Sequence, residues 1–447
     1  LFRSGTKDHT QTVHTRLSLE VPTVLVPNLC GIHQSHLDAK KCLEISEQEK
    51  HLERFLLDLM PHFRHYSHDK GKELINREKE VHKYTSQIWN EFLSCLSALL
   101  LAEKAYVSFS YLLPKGFLRW DASLKSSLES CKNDLNTIKE YSRSDESDGI
   151  VIHLSFHVVH FVEARMSMID FYGKLSSLGS LKVINYKSLF CDLAAISEKY
   201  HNKFHHPFLN SLEVIFNYEI DTLSKLLQAQ IEIQSWRFLP ALLLLNEASE
   251  KITMWETLIN VKDSGWSGFG SSFNKVQTPA IFQWMVKIRS ALFVKFSYYF
   301  HDVLSCQASS ADIKLLSSKL TTDYLQSIQQ FQKKTEASSL AIILDTFGME
   351  YQGHGYQFPQ KVTEHPKGVD GFPAVAVFIN KPPHHWSNVA MLLSTIKDYD
   401  MNNRDVFSFF DEHVKTTYFF VRIEPRITVL IVFEFHKSDK DSAVLSF

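Results

Sequence analysis

The sequence predicts an α+β multidomain chain, with an N-terminal all-α helical bundle followed by a small C-terminal α+β domain with an antiparallel sheet. Three observations carry this reading. Apolar residues recur at helical spacing from Glu47 to about residue 333. At Ser338 the apolar period shortens to two and β-branched residues take over. Glycine is scarce at 15 residues while Phe reaches 33, a balance that favours packed helices over glycine-rich nucleotide loops. A chain of 447 residues can build more than one core. The divisions fall at 1–46, a poorly ordered extension; 47–336, the bundle; and 337–447, the small domain, truncated at its last helix.

The elements follow in order. Leu52, Phe55, Leu56 and Leu59 mark a first helix, punctuated by Pro61 and Ser67. A long helix is predicted over 69–113, its later face made by Trp89, Phe92, Leu96 and Leu100, with Pro114-Lys115-Gly116 as its stop. A weaker helix covers 121–141, and the charged run 142–149 is a solvated loop. Residues 150–178 are apolar on more than one side, which places that helix in the middle of the bundle. Leu189, Leu193 and Ile196 give a short helix ending near His201. Leu212, Ile215, Phe216, Ile220 and Leu223 give a clean amphipathic helix to about Trp236, and 238–261 another, with Pro240 in its first turn. After a Gly- and Ser-rich loop at 263–278, Pro279 opens a helix through Ile281, Met285 and Leu292, and a last helix covers 311–333. Strands are predicted at 340–347, 373–379, 416–423 and 427–435, the last two joined by a hairpin at Glu424-Pro425-Arg426. Residues 406–414 read as a short helix, and 387–397 fit strand or helix equally.

The totals exclude some functions. A net charge of -2 leaves no global basic field for nucleic acid. The alternating charges of 70–83 make a solvated helix face. Cys30, Cys42, Cys95, Cys131, Cys191 and Cys306 form no pair at knuckle or redox spacing, and read as small buried hydrophobes in a reducing, cytosolic compartment. No run of 18 uncharged apolar residues spans a membrane. The start at Leu1 and the end inside a helix-like segment, SDKDSAVLSF, lead us to expect a fragment or an incomplete gene product.

Histidines are the main candidates for chemistry. The stretch 352–389 holds His354, His365, His384 and His385, at spacings of 11, 19 and 1, which match no usual metal-ligand pattern. Adjacent His384 and His385 on an extended chain point to opposite faces. These read as loop and turn histidines bonded to backbone. His153, His157 and His160 lie at i, i+4 and i+7 of one helix, with Glu163 three residues on, so a metal-dependent hydrolase built on these four is the rival to a binding role. Their neighbours Leu154, Phe156, Val158, Val159 and Phe161 favour the polar edge of a core helix instead. His201, His205 and His206 stand at a helix end, where histidine satisfies free carbonyls. Residues 265–271 (GWSGFGS) lack the Lys and Ser/Thr of a phosphate loop, and Gly353-His354-Gly355 lacks a third glycine. No catalytic, cofactor-binding or metal residue is assigned.

Several segments are long and unusual: KYHNKFHHPFLNSLEVIFNYEIDTLSKLLQAQ (199–230), KFSYYFHDVLS (295–305), YQGHGYQFP (351–359), HPKGVDGFPAVAVF (365–378) and HHWSNVAMLL (384–393). They resemble the second-subunit family of the KICSTOR complex, over Glu47 to Phe447. Ser387 stands where that family tends to have Pro after His-Trp. The resemblance implies a helical domain followed by a small α+β domain, no catalytic residue and no cofactor. It implies an adaptor working with kaptin, an FG-GAP-repeat subunit and a large scaffold subunit. That complex recruits the GATOR GTPase-activating assembly to Rag GTPases at the lysosomal surface and so inhibits TOR kinase signalling when amino acids or glucose are scarce. The chain would be cytoplasmic and peripheral at the lysosomal membrane through its partners. A small sheet of longin or roadblock type also admits a regulator of small GTPases, by analogy of fold. Trp266 and Phe269, apolar residues in the 263–278 loop, are candidate partner anchors. His354, His365 and Trp386 are expected to hold loops or meet a partner.

Overall fold

The computed structural model describes residues 36–81, 87–109, 112, 120–140, 149–178, 184–260, 278–304, 315, 318, 323–349, 368–379, 383–396 and 406–446. The chain divides into two units, Leu1–Gln48 and Glu49–Phe447. In the first, the described residues 36–48 are helical. The second is built from helices followed by a sheet, as the change of period implies.

Helix α1 (His36–Arg64) runs past Pro61 instead of stopping there. Phe63, one residue from its end, is fully buried, and that burial offsets the backbone bond that proline cannot make. The long helix expected over 69–113 is two helices, α2 (His68–Val81) and α3 (Gln87–Val107), with 82–86 outside the described residues. A single rod could not bring its own ends together, whereas these two fold back on each other. Lys104 meets Asp69 at 2.8 Å, and Trp89 Nε1 donates to Glu78 at 3.4 Å. Gly71 makes the close approach possible. A Cβ there would lie 3.0 Å from Leu100 Cδ1 and 3.1 Å from His62 Cβ.

Next come α4 (Trp120–Glu140), α5 (Gly149–Leu178), α6 (Tyr186–Tyr200), α7 (Asn210–Gln234), α8 (Phe238–Ile259), α9 (Ala280–Tyr299) and the single turn α10 (His301–Leu304). Helix α5 buries Leu154, Val158, Phe161, Val162, Met168 and Phe171 around more than half its circumference, as its all-round hydrophobicity predicts. Of the helix expected over 311–333, the described part is α11 (Tyr324–Thr335), capped by Asp323, whose Oδ1 accepts from Gln326 N–H at 3.1 Å. Glu336 closes it in the left-handed region at φ 60°.

Five strands follow: β1 (Ser339–Leu344), β2 (Ala374–Ile379), β3 (Phe407–Asp411), β4 (Thr416–Glu424) and β5 (Ile427–Phe433). Their order is β2-β1-β5-β4-β3, and every described pairing is antiparallel. The predicted helix at 406–414 is strand β3 instead. Phe407 pairs with Phe420 and Asp411 with Thr416, so a distant partner overrides a locally ambiguous pattern. The undecided segment 387–397 is helix α12 (Trp386–Ile396). A short α13 (Ser442–Leu445) is capped by Asp441.

Both faces of the sheet are covered, which is why its strands are apolar almost throughout. Ile342, Leu344 and Ile427 belong to one continuous core with the helices. Phe419, Ile431 and Phe433 pack with Phe331 of α11 and Val444 of α13. On the opposite face Ile343, Tyr418, Phe420, Leu430 and Val432 meet α12 through Trp386, Val389, Leu392 and Leu393. Within residues 49–447 the order of layers is therefore helices, sheet, α12.

Candidate functional site

The histidines of α5 separate into two groups. His153 and His157 sit one turn apart with their Nε2 atoms 3.2 Å from each other. His157 also places Nδ1 3.0 Å from the Lys203 carbonyl oxygen in the α6–α7 connection. His206, from that connection, brings its ring centroid within 5.5 Å of His153 and 5.7 Å of His157. His160 turns away, its Nδ1 3.5 Å from Glu163 Oε2 and its ring edge-on to Phe156. The four-residue face on α5 is thus not assembled as one site. Among the described residues no group of three or more His, Cys, Asp or Glu side chains is arranged to hold a metal ion. Burial lowers the pKa of His157, with His153 and His160 adding to the effect against the Lys203 carbonyl.

The connection itself departs from the helix-end expectation. His206 stands at the start of the next turn, where its Nδ1 accepts from Phe208 N–H at 3.2 Å and caps the short 3-10 helix Pro207–Leu209. His205 pairs with Glu213 at 2.8 Å. Cys95 and Cys131 are buried as expected, whereas Cys191 is exposed.

Of the expected interaction residues, Trp266, Phe269, His354 and His365 lie outside the described residues. Trp386 is 8% exposed and packs against the sheet at the start of α12. Beside it His385 Nδ1 lies 3.0 Å from the Tyr418 hydroxyl, while its neighbour His384 is exposed. Asn388 donates to Asp411 at 3.2 Å, tying α12 to β3.

Two polar networks escape sequence reasoning. The first lies in the helical core. Arg165 of α5 donates Nε and Nη2 to Glu103 of α3 at 2.9 and 3.0 Å, and Nη1 to Glu219 of α7 at 2.6 Å. Tyr106 and Tyr172 donate their hydroxyls to Glu219 at 2.5 and 2.8 Å. The guanidinium stands over the rings of Tyr106 and Phe161. Burial opposes its charge, but Glu103 and Glu219 outweigh that and raise its pKa well above the ordinary arginine value. The signal in the sequence is a charge inside an apolar run, as in LLLAEKAYV and VVHFVEARM. The second network ties the sheet to the helices. Glu424, at the end of β4, accepts from Lys295 Nζ, from Tyr299 OH at 2.8 Å and from Gln234 Nε2 at 3.2 Å. Burial lowers the Lys295 pKa against the pull of Glu424. Both networks have the makings of structural joints: their polar groups satisfy one another.

Comparison with known proteins matches the chain over nearly its whole length. The family described as "KICSTOR complex C12orf66 like" matches residues 44–447. A protein of Xenopus laevis named KICSTOR subunit 2 is 39% identical over 402 residues, covering 86% of this chain and 90% of the relative. Its namesake from Danio rerio is 36% identical over 395 residues, covering 85% and 88%.

Proposed function

Because the chain belongs to the KICSTOR complex C12orf66-like family, we propose that it is a non-catalytic adaptor subunit of that complex. The single observation that carries the proposal is the match over 44–447, which takes in the helices, both polar joints and the sheet. Its partners in this reading are kaptin, the FG-GAP-repeat subunit and the large scaffold subunit. Together they recruit the GATOR assembly to the lysosomal surface and inhibit TOR kinase signalling when amino acids or glucose are scarce. Among the described residues no helix is long and apolar enough to cross a membrane, so contact with the lysosome runs through the partners in this account. In this reading Trp266 and Phe269 serve as partner anchors, and His354 and His365 hold loops or meet a partner. Trp386 belongs to the core that holds that tail in place.

The test is affinity capture of the tagged full chain from cells. The wild type is expected to recover the other three KICSTOR subunits. The double variant Trp266→Ala, Phe269→Ala is expected to recover less of them at an unchanged melting temperature. Capture of none of the subunits by a well-folded wild-type chain contradicts the assignment. A double variant that melts early yet binds fully removes the anchor role. Metal analysis of the same protein addresses the hydrolase alternative, since stoichiometric zinc or iron would favour it. Rag GTP hydrolysis with this chain alone stays at background if it acts as an adaptor, and acceleration favours a direct GTPase regulator.

A further inference from the structure

The imidazoles at the α6–α7 connection form a unit that the adaptor role does not use. His157 Nδ1 faces the Lys203 carbonyl oxygen at 3.0 Å, so that nitrogen carries the proton and donates. Its Nε2 is then an acceptor, and His153 Nε2–H donates to it across 3.2 Å. His206 must keep Nδ1 unprotonated to accept the Phe208 N–H. In the same connection Phe204 is 2% exposed and edge-on to Phe161 and Phe216, and Leu209 is fully buried.

Counting protons shows what this arrangement tolerates. One added proton can sit between His153 and His157, because one lone pair still faces one N–H. A second sets N–H against N–H. A proton on His206 Nδ1 destroys the cap. The closed connection therefore accommodates one added proton, whereas three freed imidazoles take up three. Opening is linked to the uptake of two.

We propose that His153, His157 and His206 form a proton-sensitive latch, which holds the α6–α7 connection on α5 at neutral pH and releases it on acidification, uncovering Phe204 and Leu209. The surrounding charges fit this. His205 pairs with Glu213 of α7 at 2.8 Å, and His160 with Glu163 of α5 at 3.5 Å, so a carboxylate stands against each of those two rings. His205 adds to the lowering at His157 and His206. On α6, Lys199 lies near Glu163, and in the connection His201 and Lys203 are exposed. Burial, followed by His157 and His153, pushes His206 down to about 4, below the ordinary histidine value of 6.5. A folded value below the unfolded one means that the freed chain binds more protons between the two. The latch is therefore at full strength above about 6.5, the ordinary histidine pKa, and weakens as pH falls toward 4.

Hydrogen exchange of the full chain tests this. Protection of the 201–209 amides, corrected for the intrinsic pH dependence of exchange, is expected to fall at least tenfold between pH 7.5 and pH 5.0, while α8 holds constant. Two linked protons set the upper limit at about 100-fold per pH unit. His206→Asn retains an acceptor at the cap and cannot titrate, so one linked proton remains instead of two, and its loss over the same range is expected to be several-fold smaller than the wild type's. Constant wild-type protection, or full pH dependence in His206→Asn, overturns the latch. Independently of any variant, ring titration by NMR is expected to place the midpoints of His157 and His206 below 6.5 in the wild type; midpoints at or above that value overturn it as well.

Discussion

Arg165 holds two carboxylates together in the middle of the helical core. Replacement by Met preserves much of its volume but strands Glu103 and Glu219 beside each other, both almost fully buried. We expect Arg165→Met to destabilise the chain by about 3–5 kcal/mol, read as a clear drop in urea midpoint, because breaking one side of a buried ion pair leaves uncompensated charge. An unchanged midpoint would mean that the core relaxes to hydrate both carboxylates. At this scale the sequence is half legible. A charge within an apolar run, such as Glu103 in LLLAEKAYV, announces a buried polar site. Its partners lie 62 and 54 positions from Arg165 along the chain, a pairing that only the crossing of α3, α5 and α7 supplies. The histidines show the converse. Spacing alone puts His153, His157 and His160 on one face of α5, but the third member of the cluster comes from His206, which periodicity cannot reach.

Between elements, the end of β4 is a polar tie from sheet to helices. Glu424 takes hydrogen bonds from α7 and α9 at once, and Lys295 is left without its counter-charge if Glu424 is removed. Glu424→Ala is expected to destabilise by about 2–3 kcal/mol, with faster hydrogen exchange concentrated in β4 and β5. Faster exchange confined to exposed loops would place the coupling elsewhere. The strands themselves are readable because short apolar runs rich in β-branched residues, such as SLAIIL and ITVLIVF, leave few alternatives. The segment FSFFD is not readable in isolation: it becomes β3 only because Phe407 and Phe409 find Phe420 and Tyr418 across the ladder. The same logic splits the expected 69–113 helix, since the contact of Gly71 with Leu100 needs a reversal that no single residue in the pattern demands.

At the scale of the whole molecule, helices and sheet in residues 49–447 share buried residues, from Leu52 of α1 to Ile427 of β5. The change of period at Ser338 reveals the change from helix to strand, but not that the sheet's inner face would join the bundle core. That surface is apolar on both sides, and its sequence is equally compatible with a separate small domain. The adaptor account asks this body to be a fixed part of a larger assembly, and the mass of that assembly is the most direct test. The three partner subunits proposed above would be co-expressed with and without this chain and the purified complex weighed intact. The account predicts that the chain is retained in a whole-number ratio, adding 51.7 kDa per copy. A complex of the other three subunits that forms normally and excludes the folded chain would contradict it.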